Sequence, residues 1–349
     1  MQLHQMQLPR EVVVGNETLL LLGEICKKLG FCESTLVVMG PNTQCVAGNR
    51  VIDLLRDTGM DVDSLVVNSS TMQEVNAVEE RIKELNPQIV LGVGGGTKID
   101  VAKLGSTRQN IPFISVPTTA SHDGIASPVA AVKGLSKPYS VMAQSPMAIV
   151  ADTDVIIRSD YRFTASGCAD LVSKFTSVRD WELAYKVKNE YYGEYAASLA
   201  LMSARLVTKN ADAIKPESEE GLRLVLEALI SCGVAMSIAG SSKPCSGSEH
   251  LFSHSLDVVE SNGGLHGEQC GVGTIMMAYL YNIDWKGIKH TLQKAGAPTT
   301  AEELGVKPES IIEALVQACT LRPDRYTILD TKKLDYASAK KLAKVTGVI

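Results

Sequence analysis

The stretch PQIVLGVGGGTKIDVAKLGS, residues 87–106, decides the fold. A short apolar block, IVLGV, runs through consecutive glycines into a segment with helical spacing of apolar residues. A strand that ends in glycines and opens a helix is half of a strand–helix–strand crossover. IPFISVPT (111–118) supplies the second strand. Upstream the alternation recurs. REVVVG, STLVVMG and DSLVVNSS read as strands, and NETLLLLGEICKKLG, NRVIDLLRDTG and TMQEVNAVEERIKEL as helices. Repeated alternation predicts a largely parallel sheet with crossover helices. PVAAVKGLSKPYSVMAQSPMAIVADTDVI adds further strands and turns.

From about Ser159 the pattern changes to long helical runs, among them TASGCADLVSKFTSVRDWELAYKV, GLRLVLEALISCGVAMSIAG, HLFSHSLDVV and QCGVGTIMMAYLYNI. The expected organisation is an α/β N-terminal domain (1–158), Rossmann-like, followed by an all-α C-terminal domain (159–349). A ligand cleft between two such domains is the default expectation.

Composition narrows the function. The 349 residues are 45% hydrophobic, 21% charged and 5% aromatic, with a net charge of −5. An acidic balance argues against a broad nucleic-acid-binding surface. The eight cysteines are dispersed and form no CxxC pair. Reduced thiols in a cytoplasmic protein are therefore expected. The N-terminus is too polar for a signal peptide, and no run of about 20 apolar residues predicts a membrane span.

The glycine run GVGGGTKID (92–100) is neither GxGxxG nor GxxxxGK[ST]. Its glycines either form a tight turn against the sheet or let a phosphate approach a helix start. VPTTASHDGIASP (116–128) follows the next strand and is the second loop placed to line a nucleotide crevice. Within it, His122 reads best as a turn residue, and Asp123 as a turn residue or a functional one.

Three of the six histidines, His250, His254 and His266, fall within 17 residues. His250 and His254 share a helix face at i, i+4, and His266 follows a glycine-rich turn. Spacing alone nominates all three as metal ligands, since catalytic zinc usually has three protein ligands and an open position. Glu249 precedes His250, so this is not the HExxH arrangement. Asp170, inside the apolar run GCADLVSK, needs a partner if buried. It is either a capped or salt-bridged residue or a further member of the metal cluster.

GGGTKID, PTTASHDGIASP, GCADLVSK, SGSEHLFSH and GGLHGEQCGVG together resemble the archaeal-type sn-glycerol-1-phosphate dehydrogenases. These belong to the glycerol dehydrogenase, iron-containing alcohol dehydrogenase and dehydroquinate synthase superfamily. The resemblance covers nearly the whole chain and implies a dehydroquinate-synthase-like architecture. It implies zinc held by Asp170, His250 and His266, one ion per subunit. His254, Asp123 and Asp170 would contact substrate. An NAD or NADP site would use Gly94, Gly95, Gly96, Thr97, Lys98, Thr118, Thr119, Ala120, Ser121 and Ser127.

The implied activity is an oxidoreductase reaction: reversible NAD(P)H-linked reduction of dihydroxyacetone phosphate to sn-glycerol 1-phosphate, for archaeal-type phospholipid biosynthesis. Zinc would act as Lewis acid on the carbonyl. The alternatives are a glycerol (polyol) dehydrogenase and a dehydroquinate-synthase-like lyase. Lys133, Lys137, Arg158, Arg162 and Lys243 are the candidate phosphate cations. STLVVMGPNTQ ends its strand without an acidic residue for a ribose hydroxyl, which permits NADP or both cofactors. His and carboxylate ligands suit zinc, although iron, nickel or cobalt could occupy such a site. The expected partners are small molecules, with no nucleic acid and no membrane span, in a homo-oligomer.

Overall fold

The computed structural model describes residues 5–133, 140–260 and 263–349, so Lys137 lies outside the described residues. Two compact units are present, Met1–Asp160 and Tyr161–Ile349.

The first unit is built on β1 (Glu11–Gly15), β2 (Ser34–Met39), β3 (Asp61–Val66), β4 (Ile89–Gly94), β5 (Phe113–Pro117), β6 (Val129–Ala131), β7 (Ser140–Met142) and β8 (Ala148–Asp152). Six of these form one sheet, in the order β1-β8-β5-β4-β2-β3, and every pairing in it is parallel. β6 and β7 pair separately as an antiparallel hairpin. β4 and β5 are buried at every position. That is the burial expected where helices cover both faces, and it explains why these strands read as continuous apolar runs.

The order also locates the functional edge. The chain leaves β2 for β3 on one side and leaves β4 for β5 on the other. Neighbouring strands whose connections run in opposite directions leave a crevice at their carboxyl ends, where open α/β sheets bind ligands. The glycine run lies at that point, at the end of β4.

The second unit is helical. The helix Ser248–Val259 packs on Pro308–Leu321 and on His266–Leu280, and the latter packs on Tyr161–Val172. Glycines set the closeness of these crossings. A Cβ on Gly267 would lie 2.1 Å from the Ser166 carbonyl oxygen, and one on Gly273 would lie 2.9 Å from the Phe252 ring. The His266–Leu280 helix therefore meets both neighbours nearly backbone to backbone.

TASGCADLVSKFTSVRDWELAYKV, read from sequence as one helical run, is two helices, Tyr161–Val172 and Lys174–Lys188. At the break the Ser173 hydroxyl donates to the Asp170 carbonyl (2.6 Å). Hydroxyl groups that take main-chain acceptors compete with the helix ladder.

The helix Glu219–Ala239 has the length and hydropathy to cross a bilayer, but 67% of its apolar window is buried inside the protein. A helix apolar all round and covered in this way is a core helix.

Candidate active site

In the first unit, the end of β4 and the end of β5 are laced together. Thr118 N–H donates to the Gly94 carbonyl (3.0 Å), so Gly94–Lys98 and Thr118–Ser121 lie side by side. The helix Gly96–Arg108 starts without a side-chain cap, which leaves main-chain N–H groups and the positive end of the helix dipole facing the crevice. Gly96 has a steric reason to be glycine: a Cβ there would sit 1.9 Å from His122 Nε2. His122 Nδ1 in turn accepts from the Gly124 N–H (3.0 Å). His122 thus shapes the turn.

Asp100, the acidic residue of GGGTKID, is also a structural device. Its Oδ1 accepts from Lys103 Nζ (3.0 Å) and its Oδ2 from the Ala131 N–H (3.0 Å). Lys103 also donates to the carbonyls of Gly124 (2.9 Å) and Val129 (2.7 Å). This buried ion pair bolts the 118–131 loop to the glycine helix. Asp123 opens a single 3₁₀ turn, and its carbonyl accepts from Ala126 N–H (3.0 Å) and Ser127 N–H (3.1 Å). Ser127 is buried, with its hydroxyl against the Val129 carbonyl (3.2 Å).

In the second unit, Asp170, His250, His266 and Cys270 each bring one donor atom within 4.8 Å of the others. His254 is not part of this group. It stacks on the His266 ring at a centroid distance of 5.9 Å and a 25° interplanar angle. Hydrogen bonds fix the ring tautomers. His250 Nδ1 lies 2.8 Å from Glu249 Oε1, and a carboxylate can only accept, so Nδ1 carries the proton. Nε2 is then the ring nitrogen that faces Asp170 Oδ1, 3.7 Å away. At His266, the Ser253 hydroxyl spends its single hydrogen on Gln269 Oε1 (2.6 Å). Ser253 Oγ therefore accepts from His266 Nδ1 (3.1 Å), which again leaves Nε2 as the ligand atom. Both imidazoles are held as metal-binding histidines usually are, through the other ring nitrogen.

Asp170 is fully buried. Burial would raise its pKa. The charge of Lys174, whose Nζ donates to Oδ1 at 2.8 Å, and then His250 and His266, hold it well below the usual carboxylate range instead. Asp170 is therefore an anionic donor at any working pH. Burial, with smaller pushes from His250, Arg322 and Arg325, lowers His254 to about 3, so this imidazole is neutral. The Cys270 thiol is pushed well above its ordinary value by burial, then by Asp170 and Glu249.

One carboxylate oxygen and two oriented imidazole nitrogens fit a catalytic zinc, with Cys270 a nearby sulfur. Cys270 and Lys174 were missed from sequence. Each stands four residues after a cluster member, Cys270 after His266 on one helix and Lys174 after Asp170 across the break at Ser173, and that spacing was the available signal.

Two of the four phosphate candidates among the described residues are committed elsewhere. Arg162 makes a two-point pair with Glu268 (2.6 and 2.7 Å), and Lys243 pairs with Glu190. Lys133 and Arg158 are exposed.

Comparison with known proteins is consistent along the chain. A family profile described as iron-containing alcohol dehydrogenase matches residues 13–159. The glycerol-1-phosphate dehydrogenase [NAD(P)+] of Methanosarcina mazei is 54% identical over 344 residues, which is 99% of this chain and 96% of that one. The enzyme of the same name from Pyrococcus furiosus is 52% identical over 347 residues, covering 99% and 100%. Among solved structures, glycerol dehydrogenase from Schizosaccharomyces pombe superposes with a TM-score of 0.82 at 24% identity, covering 99% of this chain and 91% of that one. A probable glycerol dehydrogenase from Sinorhizobium meliloti gives 0.78 at 19%, covering 99% and 98%. At these identities the structural likeness speaks for the fold.

Proposed function

We propose a reaction for this site from the premise that the chain belongs to the glycerol-1-phosphate dehydrogenase family. The protein is an NAD(P)-dependent oxidoreductase that interconverts dihydroxyacetone phosphate and sn-glycerol 1-phosphate, the backbone of archaeal-type phospholipids. The observation that carries this is 54% identity over 99% of the chain to an enzyme of that name.

The site residues add chemistry to the name. Asp170, His250 and His266 would hold zinc. Bound there, zinc supplies Lewis-acid stabilisation of the charge that develops on the substrate oxygen as hydride arrives. Glu249 and Ser253 keep both ligand lone pairs aimed inward, at no reorganisation cost when substrate binds. His254, neutral and buried, orients a substrate hydroxyl by hydrogen bonding without adding charge. Asp123 is assigned a second orienting contact, because only a fixed pose exposes one carbonyl face to the nicotinamide. Gly94, Gly95, Gly96, Thr97 and Lys98 at the uncapped helix start receive the pyrophosphate. Thr118, Thr119, Ala120, Ser121 and Ser127 complete the cofactor loop.

No disulfide joins any of the eight cysteines, and the setting we expect is reducing and cytoplasmic. The assembly we expect is a homo-oligomer, testable by sedimentation. The reaction is tested by initial rates with dihydroxyacetone phosphate and each nicotinamide cofactor, with the product's chirality determined. Formation of the sn-3 enantiomer would reject it.

A further inference from the structure

With the pyrophosphate on Gly94–Lys98 and the substrate against Asp123, in the loop after β5, the nicotinamide lies on the β5 side of the glycine turn. An extended dinucleotide then leaves its adenosine on the other side, over the carboxyl ends of β2 and β3, the strands that follow β4 in the sheet. In NAD-binding α/β sheets an acidic side chain near such a strand end takes the ribose hydroxyls, and a nearby cation accommodates the 2′-phosphate of NADP.

The end of β2 carries no such acid, and the residue that follows it is the buried Gly40. Thr43 Oγ1 accepts from the Gly40 N–H (2.7 Å) and donates to the Val93 carbonyl (3.0 Å), which fixes this turn against β4. A Cβ at Gly40 would lie 2.5 Å from Lys98 Cε. The space that a longer residue would use is filled by this lysine. Its side chain sets out from the glycine turn, where a Cβ on Gly94 would lie 2.8 Å from Lys98 Cγ. It crosses Gly40 and ends with Nζ donating to the Asn68 carbonyl (2.6 Å), just beyond β3. The side chain of Lys98 thus spans the ends of β4, β2 and β3 and delivers a cation to the adenosine side. An ammonium carries three donors, and the Asn68 carbonyl takes one. Burial lowers the Lys98 pKa, and the Glu74 carboxylate, itself held by the Asn68 N–H (2.8 Å), opposes that. A partly desolvated ammonium gains from an added phosphate by charge-assisted hydrogen bonding.

We propose that Lys98 Nζ, held beyond β3 by the Asn68 carbonyl and admitted there by Gly40, binds the 2′-phosphate of NADP(H) and so sets the preference between the two nicotinamide cofactors. This rests on the reading of Gly94–Lys98 as the pyrophosphate site. Lys98 then serves the cofactor twice, through its main chain at the glycine turn and through its side chain at the ribose.

The test uses the full-length enzyme and needs no turnover. Dissociation constants for NADPH and NADH are measured by nicotinamide fluorescence, and those for adenosine 2′,5′-bisphosphate and AMP by calorimetry. For Lys98→Ala, binding of NADPH weakens by about 10- to 100-fold relative to NADH, the scale of hydrogen bonds to a charged group. The bisphosphate loses the same factor relative to AMP, and Lys98→Arg keeps part of both preferences. Unchanged ratios would overturn the proposal. Equal losses on both cofactors would overturn it too, since they would confine Lys98 to the pyrophosphate. If Lys98→Ala does not fold, Lys98→Gln reads the same ratios: a fall supports the proposal and unchanged ratios overturn it. A wild-type protein that binds neither cofactor would sink the reading of the glycine turn, and the inference with it. A wild type that binds NADH but refuses NADPH, or that binds both while the Lys98 variants keep its ratio, sinks the inference alone.

Discussion

Glu249 Oε1 lies 2.8 Å from His250 Nδ1, and this contact decides which nitrogen of His250 faces the donor cluster. Glu249 is itself held by the Gly247 N–H (2.7 Å) and the Thr176 hydroxyl (2.7 Å). Burial would raise its pKa, but His250 and these donors lower it, so it stays a carboxylate. Glu249→Gln weakens the acceptor and loosens the ring. The expected outcome is a zinc affinity lower by about 10- to 100-fold, measured by competition with a chromophoric chelator. Equal affinity in both proteins would show that the contact does not orient the ligand.

Asp170 and Lys174 form a buried ion pair in the same cluster. Asp170→Asn removes the carboxylate that Lys174 faces. In metal-free protein it is expected to cost about 3–5 kcal/mol of unfolding free energy, because one buried charge then stands against an amide. Adding Lys174→Met recovers most of that loss. Denaturant unfolding of the single and double variants checks it; additive losses would mean the two residues are not coupled.

His254 gives a pH signature. Its folded pKa of about 3 lies below the ordinary 6.5, so the unfolded chain binds a proton that the folded chain refuses. The stability tied to this group is complete above about pH 6.5 and is lost as pH falls toward about 3. In metal-free protein the added slope approaches about 1.4 kcal/mol per pH unit in that window. His254→Gln removes this slope. Unfolding measured between pH 6.5 and 4.5 decides it, and parallel curves for wild type and variant would refute it.

Gly96 and His122 are coupled by contact, since a Cβ at Gly96 would overlap the imidazole. Gly96→Ala is expected to cost about 1–3 kcal/mol by overpacking, and to weaken NAD(P)H binding by shifting the helix start. His122→Ala on that background restores stability. Calorimetric unfolding and cofactor fluorescence titration read the two effects separately, and an unaffected Gly96→Ala protein would contradict both.

The fold was readable wherever local pattern and burial coincide. β4 and its glycines, the crossover helices and the change to long helices near Ser159 all follow from periodicity and punctuation. The break at Ser173 was not readable, because it depends on where one hydroxyl turns. At the site, His250, His266 and Asp170 could be nominated from spacing and from an acid in an apolar run, whereas His254 could be separated from them only by resemblance. The contributions of Glu249 and Ser253 were hidden for a physical reason. Each acts through a contact to a side chain whose orientation is set by helix packing.

The division of labour among the three histidines is the centre of this account, and metal content tests it most directly. Zinc is measured by mass spectrometry of the elements in purified wild type, His250→Ala, His266→Ala and His254→Ala, each reloaded with one equivalent. The expected result is one zinc per chain in wild type and in His254→Ala, and little in the other two. Loss of zinc from His254→Ala equal to that from His250→Ala would contradict it.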